Sequence, residues 1–305
     1  MKDLIIIGGG PAGLSAAVHA SRRGLSTLLI EKSICGGLPL TAPSIENYPG
    51  FPDGIGGLEL LIKFKEHALK VGVEILEFNE VMSVKNCSDS KEVKTEKEIF
   101  KARAVILAAG GIHRKLNIPG EDEYTGKGVS YCATCDGAFF RDMDVAVVGC
   151  GDSGLQEGAA LAEYAKSITF IDQNSYMTAE MVFRERIGNN PKSNIMLNHV
   201  VTSVNGDASV NSVTVRNLET EEEMVIDVSG VFIYAGFLPN TKFLNKTVEL
   251  DSDGYVIIGE RMGTSASGIF AVGYMCTNNV RNITTACNEG ALAATAVRDY
   301  LKGSL

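Results

Sequence analysis

Apolar positions in this chain come as short unbroken runs and as helical stripes, and one order of the two occurs twice. Leu4-Ile5-Ile6-Ile7 is a run of the kind expected for a parallel strand buried on both faces. It leads into Gly8-Gly9-Gly10-Pro11-Ala12-Gly13, after which LSAAVHASRRG has helical spacing and stops at Gly24. STLLIE follows as a second strand ending in Glu31. The same order returns over residues 144–172. DVAVVG is a strand, Gly149-Cys150-Gly151-Asp152-Ser153-Gly154 a turn, LQEGAALAEYA a helix, and SITFID a strand ending in Asp172. Each acid follows the last glycine of its turn at the same separation along the chain.

The remaining pattern completes an α/β chain. LELLIKFKEHALKVG reads as an amphipathic helix closed by glycine, and KARAVILAAGG (101–111) as a buried strand meeting glycines. ASGIFAVGYMC (266–276) repeats that form, and TTACNEGALAATAVRDYL reads as a final helix. Residues 36–57, GGLPLTAPSIENYPGFPDGIGG, are turn-rich and too polar for a strand, and loops this long in compact domains are often functional. The charge run SDSKEVKTEKE (88–98) is expected to form a solvated hairpin or loop.

The twofold pattern has specific physics. The first glycine permits the tight turn. The second lets backbone N–H groups approach a pyrophosphate at the helix N-terminus, the third packs helix on strand, and the acid binds a ribose 2′-hydroxyl. One such fingerprint is weak, because glycine turns join strands to helices in many α/β proteins. Two copies, each in register with strand, helix and acid, predict two Rossmann-type domains.

A length of 305 residues agrees with about two domains. Hydrophobic content of 45% and charged content of 21% are those of a soluble globular protein. A net charge of −9 argues against a nucleic-acid partner. No apolar run is long enough for a membrane span, and the N-terminal run is too short for a signal sequence. Seven cysteines, with only Cys132 and Cys135 close together, do not make a secreted disulfide framework, so a reducing cytoplasm is the expected location.

Cys132 and Cys135 lie in YCATCDGAFF, with Asp136 directly after the second. Such a pair can hold metal, staple a loop or pass electrons. Zinc would need two more ligands, and His113, His199, Cys35, Cys87, Cys150, Cys276 and Cys287 supply no second close pair. No metal site is expected. Two buried free thiols are the other structural reading.

Taken with IIIGGGPAGLSAA, GGLPLTAPSIENYPGFP, AVILAAGG, GKGVSYCATCDGAFF, VAVVGCGDSG, YAGFLPNT and GIFAVG, the chain resembles the low-molecular-weight thioredoxin reductases over nearly its whole length. These are FAD-containing disulfide reductases. The resemblance implies two Rossmann-like, three-layer β/β/α domains, the second inserted into the first. A discontinuous FAD domain would comprise 1–115 and 244–305. An inserted NAD(P)H-like domain, 116–243, would carry the redox cysteines and would rotate to offer them to the flavin or to thioredoxin. A homodimer is the usual family state.

The resemblance also assigns roles. Gly8, Gly10, Pro11, Ala12, Gly13, Glu31 and Lys32 would hold the FAD pyrophosphate and adenosine. Gly36, Gly37, Leu38 and Asn47 would lie toward the flavin. Val81, Ala109, Gly110, Gly273, Tyr274, Arg281, Asn282 and Ile283 would complete the cofactor site. Cys135 would face the flavin, Cys132 would attack the thioredoxin disulfide, and Asp136 would move the proton.

Two departures from the family pattern stand out. After the second glycine turn the family has a cluster of arginines for the NADPH 2′-phosphate. This chain has Asp172-Gln173-Asn174-Ser175-Tyr176, with no arginine before Arg184. Each charge-assisted hydrogen bond lost is worth about 1.5–3 kcal/mol, so NADPH is disfavoured. Asp172 is the usual partner of a free ribose 2′-hydroxyl, which suits NADH or a second flavin. A branch of the family, the ferredoxin-dependent flavin thioredoxin reductases, looks like this chain, with the CxxC kept and the arginines lost. An iron–sulfur carrier near about −400 mV lies roughly 130 mV below thioredoxin, about 6 kcal/mol for two electrons. The reading places ferredoxin first as donor, with NADH or a second flavin as alternatives and a non-enzymatic flavin redox sensor as the alternative class. Arg184, Arg186, Lys192, Lys127 and Arg141 are the basic candidates for ferredoxin docking. Second, Tyr274 stands where the family has the aspartate that binds the ribityl hydroxyls. Cys276 and Cys287 are extra thiols, read as small hydrophobes in preference to redox groups.

Overall fold

β1 (Lys2–Ile7), α1 (Pro11–Ser21) and β2 (Thr27–Ile30) form the first strand–helix–strand unit of the structure, a computed structural model that describes residues 1–277 and 280–303. Then come α2 (Gly57–Lys70), β3 (Glu74–Leu76), β4 (Val81–Asn86), β5 (Lys91–Thr95), β6 (Ile99–Leu107) and the short β7 (Gly111–His113). β8 (Val129–Ser130), α3 (Ala133–Asp136), β9 (Asp144–Val148), α4 (Asp152–Leu161), β10 (Ser167–Ile171), α5 (Met181–Gly188) and β11 (Ser193–Met196) follow. Next are β12 (His199–Gly206), β13 (Val210–Asn217), β14 (Glu223–Asp227) and β15 (Gly230–Ile233), then β16 (Phe237–Pro239), β17 (Ile269–Ala271) and α6 (Ile283–Leu301).

The chain divides into two units, Met1–Leu40 with Ile45–Ile112 and Leu238–Leu305, and Thr41–Ser44 with His113–Phe237. Both crossings fall a few residues before the expected 115/116 and 243/244, at β7 and β16, which pair with each other.

In the first unit β3, β2, β1 and β6 run parallel, in that order. β6 is long enough to serve two layers. Its end, Val105–Leu107, pairs in parallel with β17, while Ile99–Ala102 pairs with antiparallel β5, itself paired to β4. The charge run expected as a solvated hairpin or loop contains β5, which forms a hairpin with β4 but is not fully solvated. Lys91, Val93 and Thr95 alternate inward and are buried, as the period-2 pleat of a strand with one face on the core dictates. On the other side of the sheet α1 packs on α6 so closely that a Cβ at Gly290 would stand 2.3 Å from the Ala12 carbonyl oxygen.

In the second unit the parallel order is β11-β10-β9-β15-β8, with a separate antiparallel sheet β12-β13-β14. Side chains alternate along a strand, so the two faces of the parallel sheet build two cores. Val145, Val147, Phe170 and Phe232 face Leu155 and Leu161 of α4. Ala146, Val148, Ile171 and Ile233 face Val201, Val213 and Val215 of the antiparallel sheet. The result is three layers, helices on a parallel sheet on an antiparallel sheet. Among the described residues no helix is long and apolar enough to cross a membrane.

Candidate active site

The first glycine turn joins β1 to α1. Gly8 has φ +107°, and a Cβ there would stand 2.3 Å from the Ala108 carbonyl oxygen. A Cβ on Gly13 would stand 1.9 Å from the Gly8 carbonyl oxygen. These two glycines are therefore required by the close approach of helix and strand. Gly10 differs, since a Cβ there would meet only the Gly37 Cα, at 3.9 Å. No side chain caps α1, and Pro11 sits in its first turn, so first-turn N–H groups point outward without a side-chain acceptor. Glu31 holds the turn from below. One carboxylate oxygen accepts the Gly9 N–H at 2.7 Å and the other the Ser33 N–H at 3.0 Å.

Other expected cofactor residues gather at this helix end. The Gly36 N–H donates to the Gly9 carbonyl at 2.8 Å. A Cβ on Gly37 would lie 3.1 Å from Gly10 Cα, and one on Gly273 3.1 Å from Ala12 Cβ. Gly273 donates its N–H to Glu289 at 2.6 Å, and Ala109 its N–H to the Met275 sulfur. Gly110 has positive φ and open space where a Cβ would stand. Leu38 opens a single 3-10 turn, Val81 opens β4 and packs on the core, and Lys32 and Asn47 are exposed. Asn282 caps α6 through a reciprocal pair with Thr285, and Ile283 begins the helix. The Arg281 guanidinium lies between the rings of Tyr255, at 4.3 Å, and Tyr274, at 4.6 Å. Tyr274 thus supplies a ring face to a cation at the position where the family pattern has a carboxylate.

One residue that sequence reasoning missed bears on the cofactor. Asn79 is 7% exposed, and its side-chain oxygen has no partner, while its N–H donates to the Glu31 carbonyl at 3.0 Å. A buried polar atom without a partner costs about 1–3 kcal/mol, so it marks a place where a bound group would complete a bond. Uncapped helix, open backbone at Gly10, close approach of Gly37 to it and an orphan acceptor beside Glu31 together fit an adenine dinucleotide.

The second turn, from β9 to α4, has the same construction. A Cβ on Gly149 would stand 2.3 Å from the Tyr234 carbonyl oxygen, and one on Gly154 1.9 Å from that of Gly149. Asp172 accepts the Cys150 N–H at 2.5 Å with one oxygen. Its other oxygen takes both the backbone and the side-chain N–H of Asn174, each at 2.8 Å. The residue whose hydroxyl lies nearest the open face of Gly151 is Thr178, with Oγ1 3.6 Å from where a Cβ would be.

Between β8 and β9 the redox motif forms one short turn. Cys132 and Cys135 are joined in a disulfide, Cys132 half-buried and Cys135 exposed. The Cys135 N–H donates to Cys132 Sγ at 3.1 Å. Asp136 accepts from the Ser130 hydroxyl at 2.6 Å, and Ser130 Oγ accepts the Cys132 N–H at 3.1 Å. The disulfide and its neighbouring acid therefore share one hydrogen-bonded turn.

Further residues around the motif were not anticipated. Glu157 of α4 is buried beneath it, accepting the Ala133 N–H at 3.0 Å and bonding the Tyr234 hydroxyl at 3.3 Å. The signal was present, since 154, 157, 158 and 161 form one buried helix face and Glu157 is its one charged member. Glu121, also buried, accepts the Leu116 and Asn117 N–H groups and the Tyr131 hydroxyl, tying the crossing segment to the residue before Cys132.

The other thiols are less available. Cys276 is fully buried, and burial pushes its thiol far up. Burial lifts Cys287 to about 11, against a hydrogen bond from Tyr48 that pulls it back. Among the described residues no group of three His, Cys, Asp or Glu side chains is placed to hold a metal. The ammonium of Lys192, one of the basic docking candidates, bonds the Ala162 and Ala165 carbonyls at 2.7 and 2.9 Å, beyond the end of α4.

Residues 2–290 match the pyridine nucleotide-disulphide oxidoreductase family. The thioredoxin reductase of Bacillus subtilis is 40% identical over 301 residues, covering 98% of this chain and 95% of that protein. That of Mycolicibacterium smegmatis is 41% identical, with 99% and 97% covered. The chain belongs to the low-molecular-weight thioredoxin reductase family. The crystal structure of Lactococcus lactis thioredoxin reductase in its FR conformation superposes with a TM-score of 0.97 at 37% identity, over 99% of this chain and 100% of that one. Thioredoxin reductases of this family are flavoprotein disulfide reductases that bind FAD, and the first glycine turn has the geometry such a cofactor needs.

Proposed function

We propose that this thioredoxin reductase-type flavoprotein draws electrons from reduced ferredoxin and passes them through the Cys132/Cys135 disulfide to thioredoxin, without NADPH. The observation that carries this reading is the want of a cation around Asp172. Both of its oxygens are engaged inside the fold, and residues 172–178 contain no lysine or arginine. A nucleotide 2′-phosphate would meet a carboxylate and neutral Gln173, Asn174 and Thr178. Losing two or three charge-assisted bonds costs several kcal/mol, roughly a thousandfold or more in affinity. NADH or a second flavin is the alternative donor, because Asp172 is braced in the same way as Glu31 of the first turn.

FAD, held by the Gly8–Gly13 turn with Glu31 and Asn79 on its adenosine side, would supply the exchange between a one-electron donor and a two-electron disulfide. The protein's own part is thiol chemistry. Cys132 would attack the thioredoxin disulfide, Cys135 would resolve the mixed disulfide, and Asp136, fixed by Ser130, would hold and release the proton. A reducing cytoplasm suits the five free cysteines. A homodimer is supported by Leu58, Ile62 and Leu69, exposed along one face of α2.

The test is thioredoxin reduction assayed in parallel with reduced ferredoxin, NADPH and NADH. Turnover with ferredoxin alone supports the proposal, and turnover with NADPH comparable to that of an NADPH-dependent reductase overturns it.

A further inference from the structure

Beneath the redox turn lies a carboxyl group that the exchange chemistry does not use. Glu157 projects from α4 on its buried face, one turn beyond Gly154. Its oxygens take the N–H of Ala133, at 3.0 Å, and that of Thr134. The Tyr234 hydroxyl, just past β15, accepts the same Ala133 N–H at 2.9 Å and donates to Glu157 at 3.3 Å. The turn between the two cysteines has three backbone N–H groups. Two are directed away from sulfur into Glu157 and Tyr234, and only that of Cys135 reaches Cys132 Sγ.

We propose that Glu157 is a positioning residue for disulfide exchange, which fixes the Cys132–Cys135 turn and, through its charge, keeps the pair strongly reducing. This rests on the reading of that pair as the exchange site. N–H groups at the start of a turn of helix stabilise a thiolate and lower its pKa. Stabilising the thiolate stabilises the reduced form, so the couple becomes more oxidising. Glu157 opposes both effects. It consumes two of the donors and places a carboxylate under the sulfur, so the Cys132 thiol keeps an ordinary basicity and its thiolate remains a good nucleophile. Burial raises the pKa of Glu157 above the usual carboxylate value, and its bonds to Ala133, Thr134 and Tyr234 offset only part of that rise.

The surroundings of Glu157 leave few competing charges. α3 brings Asp136 together with the two cysteines, and the segment after β15 brings Tyr234, whose hydroxyl is pushed up by burial and by Glu157. Against α4, α5 buries Phe183 and Ile187, and β9 its apolar run from Val145 to Val148. Asp136 is the other group able to shift Cys132, and it lies in the same turn as the disulfide, bonded to Ser130.

The experiment uses full-length holoprotein. The equilibrium of the disulfide with a dithiothreitol redox buffer is read by alkylation and mass spectrometry of Cys132 and Cys135, and the thiol pKa of Cys132 from the pH dependence of its alkylation rate. Glu157→Gln keeps the shape and the acceptor but removes the charge. The inference expects the Cys132 thiol to become more acidic in E157Q and the couple about tenfold easier to reduce, a shift of about 30 mV. Tyr234→Phe, which leaves the carboxylate in place, should produce no such rise. An unchanged or more reducing couple in E157Q overturns the inference, as does an equal rise in Y234F. If E157Q does not fold, the wild-type measurement decides, because a Cys132 thiol already depressed as in an unopposed helix-start cysteine contradicts the role given to Glu157. These readouts use a chemical reductant. Failure of the exchange reading itself would appear separately, as wild-type protein that cycles its disulfide with dithiothreitol yet reduces no thioredoxin with any donor.

Discussion

The backbone N–H of Cys150 donates to the Asp172 carboxylate at 2.5 Å, across the second glycine turn, as that of Gly9 donates to Glu31 at 2.7 Å across the first. In both units the acid at the strand end braces the turn, and its other oxygen takes the N–H two residues on, that of Ser33 in the first and of Asn174 in the second. Asp172→Ala should therefore destabilise the protein by about 1–3 kcal/mol, the cost of a buried N–H left without its acceptor. Urea unfolding monitors this, and the account expects no change in the donor used.

The last glycine of each turn tests which turn serves the cofactor. A Cβ at Gly13 or at Gly154 would stand 1.9 Å from a carbonyl oxygen, so either alanine variant forces helix from strand. Overpacking of this kind costs about 1–3 kcal/mol. Gly13→Ala should purify with little FAD, whereas Gly154→Ala should remain yellow and lose only stability. Absorption spectra and melting temperatures of the two variants separate these outcomes.

Cys132→Ser and Cys135→Ser should each abolish thioredoxin reduction while the flavin still accepts electrons, because exchange requires both attack and resolution. Stopped-flow spectra against turnover check this. Retained turnover in either variant would move the chemistry to another thiol, a role that the deep burial of Cys276 argues against.

A pH effect follows from His113, packed against the rings of Tyr131 and Phe237 at 5.5 and 4.8 Å. Burial lowers its pKa from 6.5. The unfolded chain then takes up the proton before the folded one does, so this contribution to stability is complete above pH 6.5 and is lost as pH falls through the depressed folded value. His19, lowered first by burial and then by Arg23 and Arg22, acts in the same direction. Thermal melts should fall below pH 6.5, and His113→Gln should make that fall shallower.

Much of this was legible in the sequence because it depends on short-range order. Glycine spacing, apolar runs and terminal acids located both strand–turn–helix units, and Cys132, Cys135 and Asp136 are neighbours along the chain. What was missed depends on how a polar group is shared. Asp172 has the spacing of a ribose ligand, and like Glu31 it also holds the N–H two residues on, a second use that spacing does not encode. Lys192 counts as a surface charge in any tally, yet its stem lets the ammonium reach two carbonyls beyond α4. The charge run reads as a solvated hairpin or loop; β5 does form a hairpin with β4, but its charges hide that Lys91, Val93 and Thr95 turn inward. Glu157 stands out as the charged member of a helix face, but only the fold shows it as the floor of the redox turn, and only the fold shows Asn79 as an acceptor without a partner.

The central claim concerns the source of the electrons, and an anaerobic titration of the yellow protein tests it most directly. Reduced ferredoxin should bleach the flavin within seconds, and oxidised thioredoxin added afterwards should restore the colour with one disulfide reduced per two electrons delivered. NADPH at millimolar concentration should leave the spectrum unchanged. Rapid bleaching by NADPH, or by NADH, with no response to ferredoxin would contradict the account.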